Sequence, residues 1–444
     1  MSLEDLRKIR EEKLDLLKKA GVNPYPAKSS FPLSEVAAVK KNFEKHRRSK
    51  RPLAVAGRVM AKRAHGGSVF LDIFDGSTGL TTGGSGKLQI FLAKDKLGEK
   101  SFALFSSTVD IGDFIAVQGK VFLTKKKERT LEAVKWEILT KSLRPLPEKW
   151  HGLQDAEERF RKRYLDLLMN PDVHERFKKR TEVILKLRQM LQAGGFMEVE
   201  TPQLQPLPGG ATARPFVTHH NALDIDLYLR IAPELYLKRL LIGGYQKVFE
   251  IGRNFRNEGI DHTHNPEFTM LELYWAYQDY KGLMIFVEKL LKKWLPGRWR
   301  TLTFSEIITN PTEENYKEIR GKIKEPTFII DYPETLMPLA KLKPKNPELT
   351  ESFQLIVDGV EIVKGFSELN DPIFQRAQME RQEEEHRQGN EEASRLDNDF
   401  LEALEYGMPP AAGLGIGIDR LAMLLTETKN IREVILFPTL RPKE

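Results

Sequence analysis

The sequence predicts an α+β protein in which a small N-terminal β-barrel precedes a larger domain of sheet and helices. Residues 53–139 contain five short β-rich runs broken by glycines, which is typical of a small barrel. A segment with two prolines follows at 141–150, and beyond it apolar runs with helical spacing alternate with strand-like runs. The predicted domains are a helical leader at 1–50, the barrel at 51–145 and the α+β domain at 146–444.

The composition is that of an ordinary globular protein. A chain of 444 residues, 40% hydrophobic and 30% charged, is long enough for two or three domains. It has no apolar run of about 18 residues, and its charged start lacks the apolar core of a secretory signal. These features predict a cytoplasmic protein that does not bind membranes.

The cysteine content and the charge limit the kinds of ligand that the protein can bind. The chain has no cysteine, which excludes disulfides and thiolate-bound zinc, so a metal, if used, is a hard ion such as Mg²⁺. The net charge is +7, and basic runs lie at 45–51, 125–127 and 159–164. This distribution suits a bound polyanion such as a nucleic acid, although charge runs also occur on ordinary solvated surfaces.

Three segments show helical patterns. Residues 1–20 alternate apolar and charged positions at helical spacing, and Gly21 ends the predicted helix. A second helix is predicted from Asn170–Pro171 to Gly194–Gly195, followed by the strand FMEVETP. The highly charged residues 376–400 predict a surface helix and loop.

The segment RNFRNEGIDHTHNPEFTMLELY, residues 253–274, is the strongest functional signal. As a strand, its period of two places Phe268, Met270, Glu272 and Tyr274 on one face. A carboxylate on a largely apolar strand is costly unless a cation meets it, and a ligand ammonium is one such cation.

Positive charge gathers immediately upstream of that strand. Arg253, Arg256, His262 and His264 form a cluster that suits a polyphosphate or a carboxylate, and Phe268 offers a ring on which a base can stack. Together they predict a nucleotide site beside a site for a small cation. The alternative at this stage is a hairpin with a salt-bridged outer face.

Three further segments carry the same mixture of groups. In VEIVKGFSELND (360–371), a strand directs Lys364, Phe366 and Glu368 to one face. In IAPELYLKRLLIGG, Glu234 falls in the first turn of a helix, where the helix dipole alone also favours a carboxylate. GLGIGIDRLAML (413–424) predicts a glycine-rich turn before an apolar helix, with Arg420 directed toward a phosphate.

Taken in order, these motifs resemble those of class II aminoacyl-tRNA synthetases: GFMEVETP, then FRNEG with HNPEF, then GLGIGIDR. More narrowly, RYLDL, GGATARPF, APELYLKRL, GFSELND and ALEYGMPPAAGLGIGIDR are similar to the lysyl-tRNA synthetase family. The similarity runs from about residue 50 to the C-terminus. It implies an OB-type five-stranded barrel that holds the anticodon, followed by an antiparallel class II sheet flanked by helices, in a homodimer.

The resemblance also implies an activity. L-Lysine and ATP would form lysyl-adenylate and pyrophosphate with Mg²⁺ as cofactor, and the lysyl group would then pass to the 3′ end of tRNA(Lys). Two other functions stay open: a paralogue that lysylates a protein, whose relatives lack the barrel, and a synthetase-like RNA-binding or regulatory subunit without aminoacylation activity.

Site residues follow from the same resemblance. Arg256 and Arg420 are the implied catalytic residues, and the implied ATP site consists of Arg256, Glu258, His264, Asn265, Phe268, Gly417 and Arg420. The implied lysine site consists of Gly210, Glu234, Arg256, Glu272, Tyr274, Lys364, Phe366 and Glu368. The implied Mg²⁺ ligands are Glu405 and Asn398, and the implied anticodon-reading residues are Arg63, Phe70, Gln89 and Glu128. Two interpretations of Phe70 stay open: its ring stacks on a base, or it packs in the barrel core.

The chain departs from the family pattern in four places. Asn398 stands where a glutamate is usual, and Lys364 stands where an asparagine is usual. The region 299–345 is shorter than the helical insertion of bacterial members, and the loop TTGGSG at 81–86 is a small addition. We expect the last two to alter accessory contacts with tRNA more than the chemistry.

Overall fold

The computed structural model describes residues 1–76, 86–147, 153, 155–308, 313–337 and 339–443. The chain divides into two compact units, Met1–Gly152 and Leu153–Glu444. The three leading helices belong to the first unit, and the finer predicted divisions at residues 50 and 145 stay predictions. Most of the predicted loop at 81–86 lies outside the described residues.

The first unit contains five helices and five strands among its described residues. The helices are α1 (Leu3–Lys19), α2 (Val36–Lys41), α3 (Phe43–Ser49), α4 (Lys94–Leu97) and α5 (Glu99–Thr108). The strands are β1 (Leu53–His65), β2 (Ser68–Phe74), β3 (Lys87–Ala93), β4 (Phe114–Leu123) and β5 (Arg129–Thr140).

The five strands close into a barrel in the order β1-β2-β3-β5-β4, and β1 pairs with β4 to complete it. The β3–β5 pair is parallel and the others are antiparallel. Alternate residues such as Leu71, Ile90 and Ile115 point inward and are fully buried. The predicted barrel is therefore confirmed.

The first residue of the predicted linker, Lys141, is buried and not exposed as a linker residue would be. The Lys141 ammonium is buried at the end of the barrel, 2.6 Å from Asp110 Oδ2 and 2.8 Å from Asp113 Oδ2. It also donates to the Thr108 carbonyl over 2.6 Å. A buried ammonium needs such partners, so this residue belongs to the barrel.

The second unit has ten helices among its described residues. They are α6 (Ala156–Arg161), α7 (Arg163–Met169), α8 (Pro171–Ala193), α9 (Glu234–Ile242), α10 (Tyr280–Leu291), α11 (Phe304–Ile307), α12 (Glu313–Gly321), α13 (Pro372–Arg387), α14 (Asn398–Glu405) and α15 (Ile418–Leu425). Short 3-10 turns lie at Glu334–Leu336 and Ile431–Glu433. None of the helices in the described part of the chain is long and apolar enough to cross a membrane.

The strands of the second unit form one large sheet and two small ones. They are β6 (Met197–Glu198), β7 (Leu204–Gln205), β8 (Phe216–His220), β9 (Ile225–Leu229), β10 (Lys247–Phe255), β11 (Glu267–Ala276), β12 (Arg300–Thr303), β13 (Thr327–Ile330), β14 (Leu342–Lys343), β15 (Asn346–Thr350), β16 (Ser352–Val357), β17 (Val360–Ser367) and β18 (Ala411–Gly417). The large sheet has the order β12-β13-β16-β17-β18-β11-β10-β6, and its central strands are antiparallel. The predicted α+β fold is confirmed.

One face of the large sheet forms the core. Leu271 and Leu273 of β11 pack with Leu187 of α8, Leu283 of α10 and Leu421 of α15, all fully buried. Because side chains alternate along a strand, the neighbouring residues of β11 point to the opposite face. That opposite face carries the candidate site.

Gly119 of β4 generates a testable prediction about the barrel. A Cβ at this position would overlap the carbonyl oxygen of Glu132 on β5, so Gly119→Ala forces the strands apart. We expect a loss of about 1–3 kcal/mol in local stability, measured by hydrogen-exchange mass spectrometry on β4 and β5.

Gly67→Ala is the matched control, because its Cβ would lie 3.8 Å from Lys94 Cβ, an ordinary contact. Its effect should stay within about 0.5 kcal/mol. Equal protection of the barrel strands in both variants would contradict the prediction.

Candidate active site

A cavity of about 320 Å³ lies over the solvent-side face of the large sheet. All the predicted ATP and lysine residues except Glu368 line it. They are Gly210, Glu234, Arg256, Glu258, His264, Asn265, Phe268, Glu272, Tyr274, Lys364, Phe366, Gly417 and Arg420. Of the four cations in the first cluster, Arg253 and His262 do not line the cavity; Arg253 instead lies 3.5 Å from Glu267.

Strand β18 forms the floor of this cavity. The predicted glycine-rich turn at 413–417 is wrong, because these residues form a central strand paired with β11 and β17. Gly413, Gly415 and Gly417 are its cavity-facing positions. A Cβ at Gly413 would collide with Glu368 Oε1 and the Tyr274 ring, so the glycines leave space that side chains would fill.

Three carboxylates gather at one end of the cavity, on separate elements. Glu234 starts α9, Glu272 lies on β11 and Glu368 directly follows β17, and all three are at most 5% exposed. The buried Lys238 ammonium lies 2.6 Å from Glu234 Oε1 and 2.5 Å from Glu368 Oε2. Both Glu368 oxygens are buried without a hydrogen bond among the described residues, but Oε2 has the ion pair with Lys238 whereas Oε1 has no cationic partner there. A buried carboxylate oxygen without a donor is a binding position for a cationic ligand.

Burial changes the acidity of this cluster. Removal from water raises the pKa of Glu272 to about 8, and the negative charge of Glu234 adds to the rise, against Arg256 and Arg230. Burial also raises the pKa of the Tyr274 hydroxyl, with further contributions from Glu234 and Glu272. Near neutral pH Glu272 therefore holds a proton in the ligand-free protein, and an arriving ammonium would displace it.

Arg256 lies between the carboxylates and the other cations. Its guanidinium carbon is 5.1 Å from the centre of the Phe268 ring, and its Nε has no hydrogen-bond partner among the described residues. Burial lowers its pKa, while Glu258 and Glu272 oppose the change, and the group remains a cation. Part of its donor fork is thus free for a ligand anion.

Arg420 and His264 meet at the far end of the cavity. Arg420 Nη2 lies 3.0 Å from His264 Nε2, and His264 Nδ1 lies 2.8 Å from Asp261 Oδ2. Arg420 lies in the first turn of α15. With Nδ1 donating to Asp261, Nε2 of a neutral imidazole accepts from Arg420, which directs the cation toward the cavity.

Two residues beside the predicted ones were missed, Lys238 and Glu361. Glu361 lines the cavity, with Oε1 3.4 Å from Arg420 Nη1. Strict alternation along β17 would have turned Glu361 away from the face that carries Lys364. A bulge opposite Leu355–Ile356 adds one residue to β17 and reverses the alternation at this point.

The predicted metal ligands lie apart from the cavity. Asn398 and Glu405 lie at the two ends of α14 and line a separate depression that shares no residue with the cavity. Glu405 lies 3.4 Å from Arg376, a cation that opposes a metal ion. No group of three acidic or histidine side chains suited to a metal occurs among the described residues. The predicted pair therefore does not fit a magnesium ion bound to a nucleotide in this cavity, and we correct it.

The predicted anticodon residues lie on the outer surface of the barrel. Arg63 pairs with Phe70 across β1 and β2, and Phe70 pairs with Phe91 on β3. The Phe70 and Phe91 ring centres are 4.8 Å apart. Neither ring belongs to the barrel core, so the core alternative for Phe70 is wrong. The pair forms an aromatic surface on which unstacked bases can lie.

The other two predicted anticodon residues, Gln89 and Glu128, lie next to this surface. Gln89 Oε1 accepts a 2.9 Å hydrogen bond from Thr130 Oγ1, and the carbonyl of Glu128 accepts a 3.2 Å bond from the same hydroxyl. Gln89 and Thr130 are cross-strand neighbours on β3 and β5. All four predicted residues therefore lie on one side of the barrel.

Comparison with known proteins agrees with this architecture. A family model described as "tRNA synthetases class II (D, K and N)" matches residues 155–441, and one described as "OB-fold nucleic acid binding domain" matches residues 53–139. The chain belongs to the class II aminoacyl-tRNA synthetases.

Individual relatives identify the family within this class. The chain is 45% identical to the "Lysine--tRNA ligase" of Pelotomaculum thermopropionicum, covering all of this chain and 96% of that relative. It is 46% identical to that of Carboxydothermus hydrogenoformans, over all of this chain and 99% of the relative, and 46% identical to that of Moorella thermoacetica, over 99% and 98%. Within the class it belongs to the lysine–tRNA ligase family, which confirms the predicted family and enzyme class.

The glycine floor generates a prediction about the cavity. Gly413→Ala would push a methyl group against Glu368 Oε1 and Tyr274, so the carboxylate end should no longer admit an amino acid side chain. We expect lysine binding, measured calorimetrically, to weaken by about a hundredfold or more.

Gly259→Ala serves as the matched control within the same cavity, since nothing lies within 4 Å of its added Cβ. Lysine affinity should remain near the wild-type value in this variant. Tight lysine binding by Gly413→Ala would show that the floor does not limit the pocket.

Proposed function

We propose that the chain activates L-lysine with ATP and transfers the lysyl group to tRNA(Lys). The observation that carries this proposal is the buried carboxylate cluster of Glu234, Glu272 and Glu368, with one oxygen of Glu368 lacking a donor. Lysine brings two ammonium groups, and taking both out of water requires more than one carboxylate. A pocket for aspartate or asparagine would need cations or amides in the same places.

In the first step a lysine carboxylate oxygen attacks the α-phosphorus of ATP. A new P–O bond forms, the bond to the β-phosphate oxygen breaks, and pyrophosphate leaves with its electron pair. We propose that Arg256 bridges the lysine carboxylate and the α-phosphate, where negative charge builds up. No protein nucleophile is needed, because positioning and charge stabilisation are sufficient.

In the second step the terminal ribose hydroxyl of tRNA attacks the carbonyl carbon of lysyl-adenylate. The acyl–phosphate bond breaks, AMP leaves, and the hydroxyl proton is taken up by the departing phosphate or by water. Positioning of the two substrates again supplies the catalysis. The outer face of the barrel, with Arg63, Phe70, Gln89 and Glu128, is proposed to bind the anticodon.

The remaining cavity residues are proposed to hold the two substrates. Glu234 would receive the α-ammonium, and Glu368 with Tyr274 would receive the ε-ammonium, with Glu272 in the same network. Gly210 would leave space for the amino acid, Phe366 would pack on its methylenes, and Lys364 would lie near its carboxylate.

For ATP, Arg420 and His264 would hold the β- and γ-phosphates. Phe268 would stack on adenine, Glu258 would contact its amino group, and Asn265 and Gly417 would lie against the nucleotide.

Magnesium is proposed as the cofactor, neutralising phosphate charge when bound. Glu361 supports this assignment, because its carboxylate lies beside Arg420 at the proposed phosphate end and carboxylate oxygens are ligands that Mg²⁺ takes. We propose Glu361 in place of Asn398 and Glu405. The donor set fits an ion that is held chiefly by phosphate oxygens.

A homodimer in the cytoplasm is proposed as the working form. Leu185 and Met190 of α8 and Met197 of β6 are large apolar side chains between 38% and 49% exposed. Exposed large apolar side chains are often found at subunit interfaces.

Amino-acid-dependent exchange of pyrophosphate into ATP, without tRNA, tests the first step. We expect exchange with lysine alone among the twenty amino acids, and only with Mg²⁺ present. No exchange from folded protein would favour an RNA-binding subunit without aminoacylation activity. Lysyl transfer to a protein instead of tRNA would favour the protein-lysylating paralogue.

Arg256→Ala separates the chemical step from RNA binding. We expect exchange to fall by about 10²–10³-fold or more, because a cation at the developing charge is lost, while tRNA affinity remains nearly unchanged. Arg253→Ala is the control, since Arg253 lies on the adjoining strand, outside the cavity. Equal loss of exchange and tRNA binding in Arg256→Ala would contradict its chemical role.

A further inference from the structure

Lys238 lies behind the carboxylate end of the cavity and does not line it. Its side chain is 1% exposed, and its ammonium connects Glu234 on the same helix with Glu368 after β17. The centre of the Phe366 ring lies 5.7 Å from Nζ. A buried lysine would normally lose its proton, but these two carboxylates raise its pKa against the effect of burial and keep it charged.

Each contact uses one specific oxygen of the paired carboxylate. Lys238 contacts Glu234 Oε1 and Glu368 Oε2. Glu368 Oε1 is left buried without a donor, and an added Cβ on Gly413 of the cavity floor would meet it. The internal ammonium thus holds Oε2 of Glu368 and leaves Oε1 beside Gly413, which lines the cavity.

We propose that Lys238 is a positioning residue that aims Glu234 and Glu368 at the two ammonium groups of lysine and sets the charge of the pocket to match them. This inference rests on the proposed function, in which lysine is the substrate. Lys238 is not a catalytic residue, because it touches neither the cavity nor the reacting groups.

The charge count supports the proposal. Once lysine has displaced the bound protons, Glu234, Glu272 and Glu368 are ionised and Lys238 is charged, so these four groups carry two net negative charges. Lysine at neutral pH carries two ammonium groups, so the occupied pocket is balanced apart from the reacting carboxylate. Without Lys238 a third uncompensated charge would be buried, which is far more costly than a proton bound to one carboxylate.

Other charged and titratable groups face this cluster from the packed elements. From β11, Tyr274 and Glu272 approach Glu234. On the far side of Glu272 lie the cations Arg256 and Arg230, and Glu250 adds a negative charge. Arg230 is itself paired with Glu250 over 2.5 Å, so it is not free to replace Lys238.

Proton release on lysine binding distinguishes positioning from simple support of the fold. Burial raises the pKa of Glu368 to about 8 against the opposing charge of the Lys238 ammonium, so removing Lys238 raises that pKa further. The pocket would then keep this proton to a higher pH than the wild-type pocket does, and lysine must displace it there. If Lys238 only supported the fold, its removal would change the affinity for lysine without changing the number of protons released on binding.

The test is titration calorimetry of lysine into Lys238→Met in buffers of different ionisation enthalpy, with kinetics from about pH 7 to about pH 9.5. At about pH 8.5, where wild-type Glu368 is largely ionised, we expect up to about one more proton released per lysine bound than by the wild-type chain. The KM for lysine should rise about tenfold to a hundredfold at that pH, more than kcat changes, and recover only at higher pH as the carboxylates ionise. Unchanged proton release and a pH-independent rise in KM would overturn the proposal.

Two more variants serve as controls. Lys238→Arg keeps the charge, so its proton release should equal the wild-type value even if its KM changes. A different value would overturn the proposal. This variant also keeps the proposal testable if Lys238→Met does not fold. Lys292→Met removes an exposed lysine paired with Glu288 over 2.8 Å and should change nothing. Failure of the wild-type chain to exchange pyrophosphate with lysine would instead refute the proposed function, a separate outcome.

Discussion

The active cavity depends on a central strand that contributes almost no side chains to it. Gly413, Gly415 and Gly417 of β18 line the cavity without side chains, so substrates can approach the backbone, while Leu414 and Ile416 pack into the core. The strand is held from both sides, by β11 and β17, which supply the functional groups. Backbone entropy makes glycine costly in a strand, and here paired neighbours on both edges offset that cost.

Around this floor, charge is arranged as a gradient along the sheet. Carboxylates from α9, from β11 and from the residue after β17 gather at one end, and the guanidinium groups of Arg256 and Arg420 lie toward the other. Lys238 offsets part of the negative charge at the acidic end, and Glu361 offsets part of the positive charge at the basic end. In the proposed function, a zwitterionic amino acid and a polyphosphate would therefore each meet the opposite sign, and their reacting oxygen and phosphorus would meet near Arg256.

Local periodicity predicted much of this arrangement. The face of β11 that carries Phe268, Glu272 and Tyr274 follows from a period of two, and the five barrel strands follow from short runs between glycines. Three features could not be predicted in this way. Alternating glycines look like a turn until pairing on both edges makes them a strand, and the bulge that turns Glu361 into the cavity exists only in the register of β16 and β17. The contact of Lys238 with Glu368 spans 130 positions in the chain.

The oxygen of Glu368 that lacks a donor also has a consequence for the life of the protein in the cell. A folded chain that buries unsatisfied carboxylates is less stable than it would be with them satisfied. A ligand that binds only the folded state stabilises it by mass action, by RT ln(1 + [L]/Kd). Resistance of the chain to unfolding and proteolysis then follows the supply of its amino acid, so scarcity of that nutrient would lower the amount of enzyme as well as its rate.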